Sequence, residues 1–167
     1  MTTSRKFSRL ILPALMTLGI VASTGAGAEP AAALSIKTYN ADGNSFHVNA
    51  VVVSGKREAV VIDTGFTRAD ALRVAANVLD SGKALKAIFI SNADPDFYFG
   101  AEVLKGLFPQ AQVLTTPAVR EKIQAKLAAK VAFWGPKMGA NAPQQPVLPD
   151  LLSGTTLSVD GETIEVR

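Results

Sequence analysis

Cysteine is absent from this sequence of 167 residues, and histidine occurs once, as His47. Without cysteine, the chain can form neither disulfide bonds nor a cysteine-linked lipid anchor. One isolated histidine before a predicted strand is more typical of a surface or sheet-edge residue than of a metal ligand. The apolar run Leu10–Ala22 is shorter than the roughly 20 residues that a membrane-spanning helix needs. The composition therefore excludes a disulfide scaffold and predicts no membrane-spanning segment.

The first 28 residues have the pattern of a secretory signal peptide. Arg5, Lys6 and Arg9 precede the apolar run, and Ala26-Gly27-Ala28 has the small residues of a cleavage site. We expect export to the periplasm or the exterior as a mature chain that starts at Glu29; an uncleaved membrane anchor is the alternative. Removal of the leader leaves 14 basic and 14 acidic residues. Because the mature chain then has no net charge, a nucleic-acid partner is not predicted, and after cleavage no stable membrane insertion is expected.

The rest of the chain alternates between short β-branched or apolar runs and segments of helical periodicity. The order is β-β-α-β-α-β-α-loop-β-β, which predicts an α/β layered domain. We expect a loose mature N-terminus over residues 29–44 and one domain over residues 45–167. The predicted elements are strands Phe46–Val53, Glu58–Asp63, Leu85–Ile90 and Gln112–Thr115, helices after Thr67, over Phe97–Phe108 and from Pro117, a loop over Phe133–Pro149, and a hairpin at Asp160-Gly161.

The loop Ser91–Gly100, between a predicted buried strand and a helix, contains the most informative polar residues. Loops at the carboxyl ends of strands are where open α/β sheets place their functional sites. Asn92, Asp94 and Asp96 occupy alternate positions, so in an extended segment their side chains lie on one face. Three converging oxygen donors suit a hard cation such as Mg²⁺, Ca²⁺ or Mn²⁺ better than zinc. The spacing therefore favours a metal site.

Helix capping is an alternative explanation of the same residues. Asp94 followed by Pro95 is the preferred order of an N-cap residue and the first helical residue. Asp96 then falls in the first turn, where the helix dipole favours a negative charge. Residue types alone leave both interpretations open.

The pattern around two strand ends resembles that of the metallo-β-lactamase-fold hydrolase superfamily. The resemblance rests on Val-Val-Ile-Asp63-Thr-Gly, the helix after it, Ile-Phe-Ile-Ser91-Asn-Ala-Asp-Pro-Asp-Phe-Tyr-Phe-Gly100, and Phe-Trp-Gly-Pro136. It extends over roughly residues 45–167. It implies that the α/β domain is the first half of an αβ/βα sandwich, incomplete at its C-terminus, because the later half of the family fold supplies further metal ligands.

The family signature is Thr/Ser-His-x-His-x-Asp-His, followed by a glycine and a helix. Ser91 and Asp96 match it, whereas Asn92, Asp94 and Phe97 stand where the family has its three histidines. The resemblance implies Asp96 as the catalytic residue and retained metal ligand, with Asn92 and Asp94 as substitute ligands. Family members hold zinc with the histidines, and Phe97 has no atom that can bind it. The alternatives are a single harder ion at Asp94 and Asp96, or no metal.

By the same resemblance, Asp63 is mainly structural and accepts hydrogen bonds near the site. We expect Trp134 to pack in the core rather than to line a pocket. The basic residues of the helix after Pro117 are expected to form a solvated face; they are Arg120, Lys122, Lys126 and Lys130.

The resemblance implies metal-assisted hydrolysis of an ester or amide bond in a small-molecule substrate. Two alternatives accompany it. The first is a non-catalytic relative that has lost the metal site and binds a ligand or a protein, and the second is an inactive fragment.

Overall fold

The computed structural model describes residues 33–167. The predicted signal peptide, residues 1–28, lies outside the described residues. The strands are β1 (Ser35–Asn40), β2 (Asn49–Ser54), β3 (Glu58–Ile62), β4 (Ala84–Ile90), β5 (Gln112–Thr115), β6 (Asp150–Leu151), β7 (Thr156–Val159) and β8 (Glu162–Glu165). The helices are α1 (Arg68–Ser81), α2 (Pro95–Tyr98), α3 (Ala101–Leu107) and α4 (Pro117–Met138), with 3-10 turns at Gly43–Ser45 and Gly139–Asn141.

Strands β1 to β6 form one mixed sheet in sequence order, and β7 and β8 form a separate antiparallel hairpin. β1, β2 and β3 pair antiparallel, whereas β3, β4, β5 and β6 pair parallel. Helix α1 connects β3 to β4, and α2 and α3 connect β4 to β5, as parallel neighbours require. The α/β class is confirmed. Because β3 and β4 are parallel neighbours, the loops that follow them lie side by side.

The sheet has two differently covered faces. On one face, Val61 and Ile88 pack with Val74 of α1, Leu104 of α3 and Ile123 of α4 in the main buried cluster. On the other face, a smaller cluster joins the sheet to the β7-β8 hairpin; it consists of Val60, Ala87, Phe89, Leu157 and Val159. The alternation along β3 and β4 sends successive residues to opposite faces, as the strand period of two dictates.

Three expectations about the elements are wrong in part. The segment 29–44 is not loose at Ser35–Asn40, because β1 pairs with β2 from Ser35 opposite Ser54 to Asn40 opposite Asn49. This edge strand is almost wholly exposed, so its sequence lacks the alternation of buried and exposed residues that would predict a strand.

Within residues 33–167, no helix is both long and apolar enough to cross a membrane.

The other two differences concern helices. The expected loop from residue 133 begins after Met138, because α4 continues through Pro136. Pro136 lies in the last turn, where its missing N–H removes one hydrogen bond of the helix, and α4 ends two residues later, at Met138. The expected single helix over residues 97–108 is two helices, α2 and α3. The break occurs because the Gly100 N–H donates to the Gly65 carbonyl oxygen (3.1 Å) outside the helix.

Helix α1 begins with a capping box formed by Thr67 and Asp70. The Thr67 hydroxyl accepts the Asp70 N–H (3.0 Å), and Asp70 Oδ2 accepts the Thr67 N–H (3.0 Å). We expect Thr67→Ala to lower the free energy of unfolding by about 1 to 2 kcal/mol, since one N–H of the first turn loses its acceptor. Urea unfolding followed by circular dichroism measures this change. Thr67→Ser keeps the hydroxyl and should stay near the parent; an equal loss in both variants would contradict the capping role.

Candidate functional site

Asp63 links the two loops at the carboxyl ends of β3 and β4. Its carboxylate is buried and accepts hydrogen bonds from the Ser91 N–H (2.8 Å) and the Ser91 hydroxyl (2.6 Å). Its backbone is left-handed, with φ of 60°, an uncommon conformation for a residue other than glycine. Burial raises the pKa of Asp63 to about 6. The hydrogen bonds from Ser91 lower this pKa, and the negative charge of Asp96 raises it further. Asp63 thus joins the loop of β3 to the first residue after β4.

A second set of contacts joins the same loops through Thr64. Its N–H (2.8 Å) and its hydroxyl (3.0 Å) both donate to the carbonyl oxygen of Phe97. The Gly100 N–H donates to Gly65 in the same region, and the backbones approach so closely that a Cβ at position 100 would overlap the Thr64 carbonyl oxygen. The loop of β4 is therefore held rigidly against the start of α1.

The three oxygen donors predicted from the sequence have different partners. Asn92 Oδ1 accepts the Asp94 N–H (3.0 Å), which is a local turn contact. Asp94 lies at the N-cap of α2, but its side chain makes no cap bond; its Oδ1 instead accepts Lys130 Nζ at 3.2 Å. Asp96 lies in the first turn of α2 and is half-buried. Of these three residues, Asp96 is the one whose side chain forms neither a hydrogen bond nor an ion pair with another residue within 33–167, although the charge of Lys130 acts on it from a distance.

Asp94 and Asp96 are close enough to interact electrostatically. Burial raises the pKa of Asp96, and the charge of Asp94 raises it further, while the bond from its own backbone N–H and the charge of Lys130 act in the opposite direction. Within the described part of the chain, no group of three or more histidine, cysteine, aspartate or glutamate residues lies where it could hold a metal ion. The loop thus brings two carboxylates, those of Asp94 and Asp96, close enough for their charges to interact.

An aromatic pocket of about 280 Å³ opens beside these carboxylates. Trp134 lies 5.2 Å from Phe66 and 5.6 Å from Phe46 between ring centroids, and all three rings meet edge to face. The pocket is lined by Phe46, Phe66, Asp94, Pro95, Asp96, Lys130 and Trp134. Trp134 packs against the main cluster and lines the pocket as well, and Lys130 belongs to the pocket rather than to a wholly solvated face. Sequence reasoning missed Phe46 and Phe66, which no local pattern connects to the loop.

Phe46 reaches the pocket from a turn with unusual backbone angles. Phe46 and His47 are both left-handed, with φ of 58° and 55°. The preceding Ser45 is buried, and its hydroxyl donates to Asp70 Oδ2 (2.6 Å), while Tyr39 donates to Asp70 Oδ1 (2.7 Å). Burial opposes the charge on Asp70, but the hydrogen bonds from Ser45, Thr67 and Tyr39 outweigh it and lower the pKa of Asp70. A buried, charged Asp70 therefore anchors the turn that presents Phe46.

The aromatic residues next to the loop have mostly structural roles. Tyr98 and Phe99 are buried and meet edge to face at 5.2 Å. Burial and the nearby charge of Asp94 raise the pKa of Tyr98 to about 12, so its hydroxyl is neutral at physiological pH. His47, expected to be an ordinary residue, lies in the turn beside Gly43 and outside the set that lines the pocket.

Comparison with known proteins links this arrangement to one family. A model of the metallo-beta-lactamase superfamily matches residues 43–164. Among solved structures, the B3 metallo-beta-lactamase BLEG-1 superposes with a TM-score of 0.57 and 17% identity, over 78% of this chain and 59% of its own. A metallo-beta-lactamase from Pontibacter korlensis superposes with a TM-score of 0.54 and 19% identity, over 84% of this chain and 58% of its own. A HARLDQ motif mutant of the metallo-beta-lactamase from Cronobacter sakazakii superposes with a TM-score of 0.51 and 22% identity, over 70% of this chain and 45% of its own. No curated protein matches the chain.

These likenesses concern the fold, because the identities are low. The described elements match the first half of the metallo-beta-lactamase fold, as the sequence resemblance implied. The chain spans between 45% and 59% of the length of the three solved relatives.

Proposed function

Because this chain belongs to the metallo-beta-lactamase superfamily, we propose that its function lies in the loop Ser91–Gly100 and in the aromatic pocket beside it. The pocket binds a small molecule, and Asp96 supplies the charged contact. The chain acts there as a ligand-binding member of the superfamily rather than through a zinc pair held by this loop. Export to the periplasm or the exterior, inferred from the leader, is part of the same proposal.

The observation that supports this function is how the donor atoms of the loop are used. Asn92 Oδ1 is occupied by the Asp94 N–H, and Asp94 is paired with Lys130. By the family resemblance, Phe97 stands where a metal-binding histidine would be, and its side chain has no donor atom. Superfamily members typically hold divalent metals such as zinc, which favours histidine and cysteine ligands. The residues of this loop therefore do not fit a zinc pair, whereas Asp96 and three aromatic rings fit a small molecule.

The second candidate function is hydrolysis of an ester or amide assisted by one harder ion at Asp94 and Asp96, with Asn92 as a further ligand. One observation favours it. The two carboxylates repel each other, since Asp94 raises the pKa of Asp96, and a divalent cation between them would remove that repulsion. Hard cations accept carboxylate and amide oxygens.

Titration calorimetry with Zn²⁺, Mn²⁺, Mg²⁺ and Ca²⁺ separates the two candidates. We expect no saturable heat from any of these ions at micromolar concentrations, because the loop leaves a single uncommitted carboxylate. We also expect that a screen of small molecules by fluorescence of Trp134, the only tryptophan, finds compounds whose signal is lost in Asp96→Asn.

Asp80→Asn is the matched control, because Asp80 lies at the exposed end of α1, away from the pocket. Saturable binding of Mn²⁺ or Mg²⁺ that Asp96→Asn abolishes, together with ion-dependent cleavage of a chromogenic ester, would establish the second candidate. A screen without any compound that reports on Trp134 would refute the first.

A further inference from the structure

We propose that the pocket beside Asp96 binds a small organic ammonium ion, with the Asp96 carboxylate as counter-charge and the rings of Phe46, Phe66 and Trp134 as walls. This inference rests on the proposed function, since it needs the same pocket to be the binding site. It adds the chemical class of the ligand, which the proposed function leaves open.

The charges that line the pocket do not cancel. Asp94 is neutralised by Lys130, whose Nζ lies 3.2 Å from Asp94 Oδ1. Asp96 is half-buried, lines the same pocket and forms no ion pair within residues 33–167, so Lys130, which also lines the pocket, offsets only one of the two carboxylates. The pocket thus retains one negative charge. A partly desolvated carboxylate without a partner is unfavourable, and a cationic ligand is the species that relieves this cost.

The walls of the pocket suit an organic cation. Phe66 and Trp134 stand at 87° to each other, and Phe46 and Trp134 at 74°, so their faces point in different directions. An ammonium ion is attracted to the negative face of an aromatic ring within about 6 Å of its centroid. One wall ring, Trp134, already lies near a cation outside the pocket, because Lys137 Nζ is 5.9 Å from its centroid; the same Nζ lies 3.5 Å from the centroid of Phe133, which is not a wall of the pocket.

A metal ion fits these walls less well. Hard divalent ions take about six or more oxygen ligands. The pocket offers Asp96 and a carboxylate already paired with Lys130, whereas its other walls are rings and Pro95. An alkylammonium ion needs one carboxylate for its charge and apolar contact for its carbon atoms. A volume of about 280 Å³ suits an ion of a few carbon atoms.

The turn at Phe46 indicates that this wall is positioned before a ligand binds. Two consecutive left-handed residues other than glycine are costly, and such conformations persist where surrounding contacts enforce them. The buried Ser45–Asp70 hydrogen bond (2.6 Å) supplies that contact. As a result Phe46, although half-exposed, lies against Phe66 at 5.3 Å rather than free in solvent.

The test is fluorescence titration of Trp134 in the full chain at constant ionic strength. The probes are n-butylammonium, tetramethylammonium, n-butanol and butyrate, which vary the charge at similar size. We expect a saturable change with the two cations and none with butyrate. Asp96→Asn should weaken n-butylammonium binding about tenfold or more, because the charge-assisted hydrogen bond is lost. Phe46→Ala should weaken it about threefold, because one ring is removed.

Asp80→Asn is again the control and should bind like the parent. Circular dichroism of each variant establishes that loss of binding is not loss of folding. Equal binding of n-butanol and n-butylammonium would overturn the ammonium assignment and leave the proposed small-molecule function intact. Preferential binding of butyrate would do the same. A response to Mg²⁺ or Mn²⁺ without any response to the four organic probes would overturn the assignment in favour of the metal candidate. No response to any probe would also overturn it.

Discussion

Gly100→Ala is expected to lower the free energy of unfolding by about 3 kcal/mol, a large loss for a single added methyl group. A Cβ at this position would overlap the Thr64 carbonyl oxygen and would lie 2.8 Å from the Ala71 Cβ. Neither neighbour can withdraw easily. Thr64 is held by two hydrogen bonds to the Phe97 carbonyl oxygen, and Ala71 is fully buried in α1. The methyl group therefore has to separate the two loops that carry the site.

Chemical denaturation of the parent and the variant measures this loss, provided that the m-values agree. Gly106→Ala is the matched control. Gly106 lies in α3, and a Cβ there would meet no atom within 4 Å. Because alanine favours a helix more than glycine does, Gly106→Ala should raise the free energy of unfolding by about 0.5 to 1 kcal/mol. If both variants changed stability equally, close backbone approach at position 100 would not be the reason.

Asp63→Asn is expected to stabilise the protein at neutral pH and to leave it nearly unchanged at pH 4 or below. The pKa of Asp63 is about 6 in the folded protein, against an ordinary value of 3.8. When folding raises the pKa of a carboxyl group, the group stabilises the folded protein fully at pH values below its pKa in the unfolded chain. This stabilisation is lost as the pH rises through its pKa in the folded protein. The full shift in pKa corresponds to about 3 kcal/mol, of which the parent loses about 2 kcal/mol between pH 4 and pH 7.

Asparagine can keep the contacts of Asp63 without the charge. Its amide oxygen can accept the Ser91 N–H, its amide nitrogen can donate to the Ser91 hydroxyl, and asparagine tolerates a left-handed backbone better than most residues. The measurement is the free energy of unfolding of both proteins at several pH values from 4 to 8. The carboxylate of Asp70, whose pKa is lowered, contributes with the opposite sign in both proteins and cancels in the comparison. A difference between the two that does not vary with pH would contradict the buried, raised-pKa role of Asp63.

Local features were predictable from the sequence because their partners are near in the chain. The capping box joins Thr67 to Asp70, three residues away. The β2-β3 hairpin pairs Val52 with Val61, and β7-β8 turns at Asp160-Gly161. The strand, loop and helix around residue 91 also occur where the pattern predicts them, although the helix breaks at Gly100.

Features that depend on distant partners were missed or assigned differently. β1 has hardly any buried side chains, and only its pairing with β2 makes it a strand. Lys130 was interpreted as solvated, yet it pairs with Asp94 from 36 positions along the chain. Phe46 meets Trp134 across the pocket although no periodic pattern relates the two.

The sequence by itself determined the fold class and the superfamily resemblance, and it predicted the strand, loop and helix that form the candidate site after β4. It did so because strand and helix periodicity and capping are properties of short segments. By that resemblance it also predicts that Asn92, Asp94 and Phe97 stand where the family has its histidines. Only the tertiary structure decided what the remaining donors do. A turn contact and an ion pair from α4 occupy Asn92 and Asp94, and three rings from separate segments line the pocket that Asp96 also lines. Such contacts depend on which segments the sheet brings together, and no local pattern encodes that.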